Sequence, residues 1–266
     1  MHIKVFLKLV ILAACAFAMS ACAATRQLRP DFVPPPAEEA WDPLEPVNRG
    51  VFWFNDKLDD YLIEPASKGY DYITPEFVQR RVSNFFSNLK GPANVINSLL
   101  QLKPDVASEQ FGRFFINTTI GLVGLFDVAT DWGMEAHSEG LGETLALYGI
   151  PSGPYLVLPL LGPSNIRDGV GLLGDAFADP SFYAGNLASS TEAEWGIVIG
   201  LKTLQVLQTR IDLKDAIDAS KESSLDRYLF VQSAYYQFRH GRIYDGKGSS
   251  SDLDEGESEP TFDSKP

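Results

Sequence analysis

The sequence has little cysteine, histidine or positive charge, and each shortage excludes a class of function. Cysteine occurs only as Cys15 and Cys22, both within an N-terminal stretch of leader-like character, so the rest of the chain can form neither a disulfide nor a thiolate metal site. The histidines are His2, His137 and His240, none at a spacing such as H-E-x-x-H, and neither a metal nor another cofactor is expected. Lysine and arginine number 22 against 35 acids, a net charge of -13 with no basic stripe, which makes nucleic acid a poor partner. Gly121 to Gly124 lacks the lysine and the glycine spacing of a phosphate-cradling loop. Gly162-Pro163-Ser164-Asn165 lacks the second glycine of a nucleophile elbow, and Ser164 reads better as a helix N-cap. Without a catalytic constellation, no enzyme is expected. Beyond the leader no apolar run reaches the ~18 residues of a membrane-spanning helix, and alternating strand patterns are scarce. What remains is a mainly α protein, a single helical domain that packs on itself or lies in an interface.

The N-terminus carries Lys4 and Lys8, then an apolar run from Leu9 to Met19, then small residues before a cysteine, the order of a secretory signal. Met19-Ser20-Ala21-Cys22 resembles the lipobox of bacterial lipoproteins, which implies cleavage after residue 21 and acylation of Cys22. Leu12-Ala13-Ala14-Cys15 is the alternative, but it leaves only residues 9–11 as an apolar core. Several acyl chains make a durable anchor where one holds marginally. Ala23, not Asp, follows the cysteine, and by resemblance to sorted lipoproteins this favours the outer membrane. Four regions follow: a signal peptide at 1–21, a lipidated proline-rich spacer at 22–46 containing Pro34-Pro35-Pro36, a helical domain at 47–244, and an acidic tail at 245–266 with seven acids against two lysines, which reads as disordered.

Within the domain, Val51, Phe52, Phe54, Leu58, Tyr61 and Leu62 predict a helix ending near Ile63 before Pro65. An amphipathic helix over 75–90 is marked by Val78, Val82, Phe85, Phe86 and Leu89, and two short helices follow over 93–102 and 105–116. Seven phenylalanines fall between Phe77 and Phe126, and for each the expectation is a core face. Glycines break residues 121–174, where little regular helix is expected, and Tyr155 to Leu161 reads as an apolar loop between Gly-Pro pairs. Such a loop is either buried or in contact with acyl chains, and the sequence leaves both open. Ile166, Val170, Leu173 and Phe177 form the next helical stripe. A long helix is expected from Thr191, capped with Glu194, to Ala219, and a last one over 224–239.

Two segments are more specific. Asp42-Pro43-Leu44-Glu45-Pro46-Val47-Asn48-Arg49 precedes Phe52-Trp53-Phe54-Asn55, and Gly142-Glu143-Thr144-Leu145-Ala146-Leu147-Tyr148-Gly149 precedes Gly153-Pro154-Tyr155-Leu156-Val157-Leu158-Pro159 and Gly162-Pro163-Ser164. With Arg113 to Gly121 and Arg167-Asp168, these resemble the MlaA/VacJ lipoprotein family over residues 42–244. The resemblance implies an outer-membrane lipoprotein, anchored on the periplasmic side, that removes misplaced phospholipid from the outer leaflet and so maintains lipid asymmetry. It also implies a ring-like set of amphipathic interfacial helices around a channel, a trimeric porin beside it and a periplasmic phospholipid carrier as recipient. A structural lipoprotein that binds a porin without moving lipid is the alternative. In this reading residues 142–163 form a gating loop. The lipid path is assigned to Gly142, Glu143, Thr144, Leu145, Tyr148, Gly149, Gly153, Tyr155, Leu158, Pro159, Arg167 and Asp168, the polar ones as head-group contacts.

Overall fold

The computed structural model describes residues 41–187, 191–223 and 226–243. The signal peptide, Cys15, Cys22, most of the proline-rich spacer, the side chains of the Thr191 and Glu194 cap and the acidic tail lie outside the described residues.

Helix α1 (Glu45–Leu58) starts with Pro46 in its first turn, where a missing N–H costs nothing. The expected stop before Pro65 does not occur. The chain passes through a π turn (Asp59–Ile63) in which the Glu64 N–H reaches back to the Asp59 carbonyl, and continues as α2 (Glu64–Ile73) with Pro65 in its first turn. The wider π turn accommodates the proline that would otherwise break an α ladder. Asp59, Asp60 and Glu64 gather at this turn, close enough together to hold a cation, but protein cations already sit among them. Arg210 Nε lies 2.7 Å from Asp59, and Lys221 Nζ lies 3.0 Å from both Asp60 and Glu64. Hydrogen bonds from Lys68 and Lys221 hold the Glu64 carboxyl down at about 2.

Next come α3 (Glu76–Leu89), α4 (Gly91–Leu100) and α5 (Pro104–Thr119), close to the expected bounds, then the short α6 (Val128–Asp131) capped by Asp127. The glycine-rich stretch is more regular than expected. It holds α7 (Leu141–Leu147), an antiparallel hairpin of β1 (Tyr155–Leu158) and β2 (Gly162–Asn165), and α8 (Ile166–Ala178). A 3-10 segment (Pro180–Leu187), α9 (Thr191–Asp212), α10 (Lys214–Ser223) and α11 (Arg227–Ile243) complete the chain. The single long helix expected from Thr191 is therefore two, broken at Leu213, and the N-cap of α8 is Asn165 rather than Ser164, with its side chain accepting from the Asp168 N–H. The fold is mainly α, and its contacts run from α3 to α4, α8, the 3-10 segment, α9 and back to α3, a closed circuit.

The faces of these helices are inverted relative to a water-soluble bundle. Among the described residues, 22 buried side chains are polar or charged and eight are hydrophobic, while large apolar side chains cover the outside. Ile166, Val170, Leu173 and Phe177, the stripe that marks α8, are all exposed. Phe77, Phe111, Phe115 and Phe126 are exposed as well, so the expected core role fails for them, and of the seven phenylalanines only Phe86 is buried. No described helix is long and apolar enough to cross a membrane.

Candidate functional site

The hairpin is held by amide side chains. Asn48 and Asn55 are seven residues apart on α1, about 10.5 Å along the axis, nearly the rise of three strand residues. Asn48 donates to the Tyr155 carbonyl at 2.9 Å and accepts from the Val157 N–H at 3.0 Å. Asn55 donates to the Leu158 carbonyl at 3.0 Å and accepts from the Leu160 N–H at 2.9 Å. The two amides thus satisfy the open edge of β1 as a neighbouring strand would. Tyr155 and Val157 point inward and pack with Tyr228, Phe52, Tyr235 and Tyr236, while Leu160 and Leu161 stand out at the tip, 69% and 71% exposed.

Behind the hairpin, α7, α8 and α11 meet at a buried ionic cluster. Arg239 contacts Glu143 at 2.6 Å and Asp168 at 2.7 Å through Nε and 2.8 Å through Nη2. Arg242 adds a contact of 2.8 Å to Glu143, and the Tyr235 hydroxyl donates to Asp168 at 2.5 Å. Asn165 and Arg167 also donate to Asp168. Burial pushes the Asp168 carboxyl upward, but Arg239, Tyr235 and Arg167 outweigh it and hold it below the usual range. Burial raises the carboxyl of Glu143, against the pull of Arg239 and Arg242.

The lipid-path residues assigned from sequence divide into four groups. Gly142, Glu143, Thr144, Arg167 and Asp168 converge on the ionic cluster and the α7–α8 contact, and all are buried. Glu143, Arg167 and Asp168 are bonded to protein partners, and Thr144 donates to the Asn97 side chain at 3.1 Å. Tyr155 and Leu158 lie on β1, with Pro159 in the turn beyond it. Leu145 and Tyr148 follow on α7 and its C-terminal cap, where the exposed Tyr148 donates to the Leu100 carbonyl at 2.7 Å. Gly149 and Gly153 take left-handed conformations, φ 83° and 69°, at the bends between α7 and β1. The segment read from sequence as a gating loop, residues 142–163, is a helix, two bends and a hairpin, not one irregular loop. Asn48, Asn55, Tyr235 and Arg239 were not singled out from sequence. The first two stood within the family motif and at a spacing of seven, but neither signal gave them a partner, and nothing local marks the others.

Helices α7 and α8 touch backbone to backbone at Gly171, where a Cβ would lie 2.4 Å from the Gly142 nitrogen and 2.7 Å from its Cα. Gly171→Ala must force the helices apart, so a loss of about 1–3 kcal/mol is expected from denaturant unfolding in detergent. Gly169→Ala is the control. Its Cβ would meet nothing nearer than the Ser164 hydroxyl at 3.8 Å, and the gain in helix propensity makes it neutral or slightly stabilising.

Comparison with known proteins places this arrangement. The family model described as MlaA lipoprotein matches residues 40–242. The intermembrane phospholipid transport system lipoprotein MlaA of Escherichia coli is 34% identical over 212 residues, covering 77% of this chain and 79% of that protein. An uncharacterised protein of Rickettsia prowazekii is 46% identical over 206 residues, covering 77% and 79%. A solved structure reported under "Structural basis for maintenance of bacterial outer membrane lipid asymmetry" superimposes with a TM-score of 0.65 at 32% identity, covering 76% of this chain and 98% of that one.

Proposed function

Because the chain belongs to the MlaA lipoprotein family, we propose that it moves phospholipid out of the outer leaflet of the outer membrane and so maintains lipid asymmetry. The observation that carries this reading is the inversion of faces: polar groups fill the interior while apolar side chains cover the outside, a distribution that suits lipid as the surrounding solvent. A closed circuit of such helices, none able to span, sits in one leaflet with a polar interior available to head groups and an apolar exterior available to acyl chains.

Acylated Cys22 anchors the protein on the periplasmic side, a trimeric porin stands beside it, and a periplasmic carrier receives the lipid. The gate is residues 142–163. The exposed leucines at the hairpin tip meet acyl chains, the bends at Gly149 and Gly153 permit movement, and the ionic cluster behind β2 is the fixed base. No bond is made or broken, so the driving force is lipid partitioning and capture by the carrier. Gene deletion followed by labelling of surface-exposed phospholipid tests this. Accumulation that is restored by the wild-type gene supports transport, and an unaltered surface with a retained porin complex leaves the structural role alone.

A further inference from the structure

Helices α3, α4 and α5 and the segment before α7 enclose a half-open cavity of about 250 Å³ that lies apart from the hairpin. Its charges are unequally committed. Arg113 is consumed by Asp127 at 3.0 Å and 3.1 Å, by Thr130 at 3.0 Å and by the Met134 carbonyl. Lys90, at the junction of α3 and α4, lines the cavity with no side-chain partner among the described residues. Asn94 turns its Oδ1 to the Glu139 N–H at 3.2 Å, and its Nδ2 donors have no partner among the described residues. One wall is Phe114, and on the α5 surface the exposed Phe111 and Phe115 adjoin it on the side away from Arg113. The cavity thus joins one uncommitted ammonium and free amide donors to an apolar strip, a match to an anion carried on an apolar body.

We propose that this cavity is a phosphate seat that receives the head group of a phosphodiester lipid, with Lys90 supplying the charge-assisted contact and Phe114 guiding the glycerol end toward Phe111 and Phe115. This rests on the reading that the protein handles phospholipid. The test uses the full chain in detergent, titrated calorimetrically with dihexanoylphosphatidylglycerol, uncharged dihexanoylglycerol and sodium phosphate, in the wild type and in Lys90→Gln. The Lys90 side chain is exposed and has no partner among the described residues, so the variant is expected to keep the wild-type unfolding midpoint. The expected result is binding of the phospholipid over the uncharged glyceride, weakened roughly ten- to a hundredfold in Lys90→Gln. Inorganic phosphate that binds as tightly as the lipid, with the same dependence on Lys90, assigns the seat to free phosphate and overturns the lipid assignment. Phospholipid binding that ignores Lys90→Gln overturns the seat while leaving lipid handling intact. No phospholipid binding by either protein defeats both.

Discussion

Arg239→Leu is expected to cost about 3–5 kcal/mol of stability, the range for stripping one partner from a buried ion pair. Glu143 and Asp168 have side chains only 2% and 7% exposed, and both depend on the Arg239 guanidinium. Arg242 compensates Glu143 in part, and Tyr235, Asn165 and Arg167 still reach Asp168, so the loss falls short of two fully orphaned carboxylates. Native domains hold roughly 5–15 kcal/mol in total, so this one side chain secures a large share. Arg239→Lys is expected to rescue little, since one ammonium cannot reproduce a planar fork that contacts two carboxylates at once. Denaturant unfolding in detergent checks both. A loss under about 1 kcal/mol for Arg239→Leu would show that water or neighbouring groups replace the guanidinium, and that the cluster is not the fixed base of the hairpin.

The second large effect concerns the exterior. Phe111→Asp combined with Phe115→Asp is expected to release the unacylated Cys22→Ala chain from phospholipid vesicles. Each phenylalanine forfeits roughly 1.5–3 kcal/mol of apolar burial, and each aspartate adds a desolvation cost that grows with depth. Together the loss exceeds about 4 kcal/mol, roughly a thousandfold in partitioning. Vesicle flotation measures it, and circular dichroism should be unchanged because both rings lie outside the packed interior, stacked on each other at 6.4 Å. The same pair of changes on a water-facing surface would alter little, so unchanged flotation would mean that α5 faces water or a protein neighbour.

Helical periodicity over Val78 to Leu89 and over Ile166 to Phe177 located α3 and α8. Periodicity identifies a stripe without naming the solvent it meets, and in α8 the stripe faces outward while Arg167, Asp168 and Gly171 face the protein. The hairpin was hidden for a related reason. Its strands lack polar alternation because β1 is covered on one face by tyrosines and closed at its edge by Asn48 and Asn55, more than a hundred residues earlier in the chain. The ionic cluster is equally remote in sequence, with Arg239 standing 96 residues from Glu143 and 71 from Asp168. Its two carboxylates could be named as polar groups near the path, but their bonding partner could not. What was fully legible was the family, because Asp42 to Asn55 and Gly142 to Ser164 retain its motifs across the very segments that build the hairpin and its supports.

The most direct measurement is mass spectrometry of the protein purified from membranes with its partners, reading both the N-terminal modification and the bound lipid. Diacylated or triacylated Cys22 with phospholipid and a porin in the complex is the expected result, with phospholipid diminished in Phe111→Asp, Phe115→Asp. A complex that holds the porin but no phospholipid, in wild type and variant alike, would contradict lipid transport.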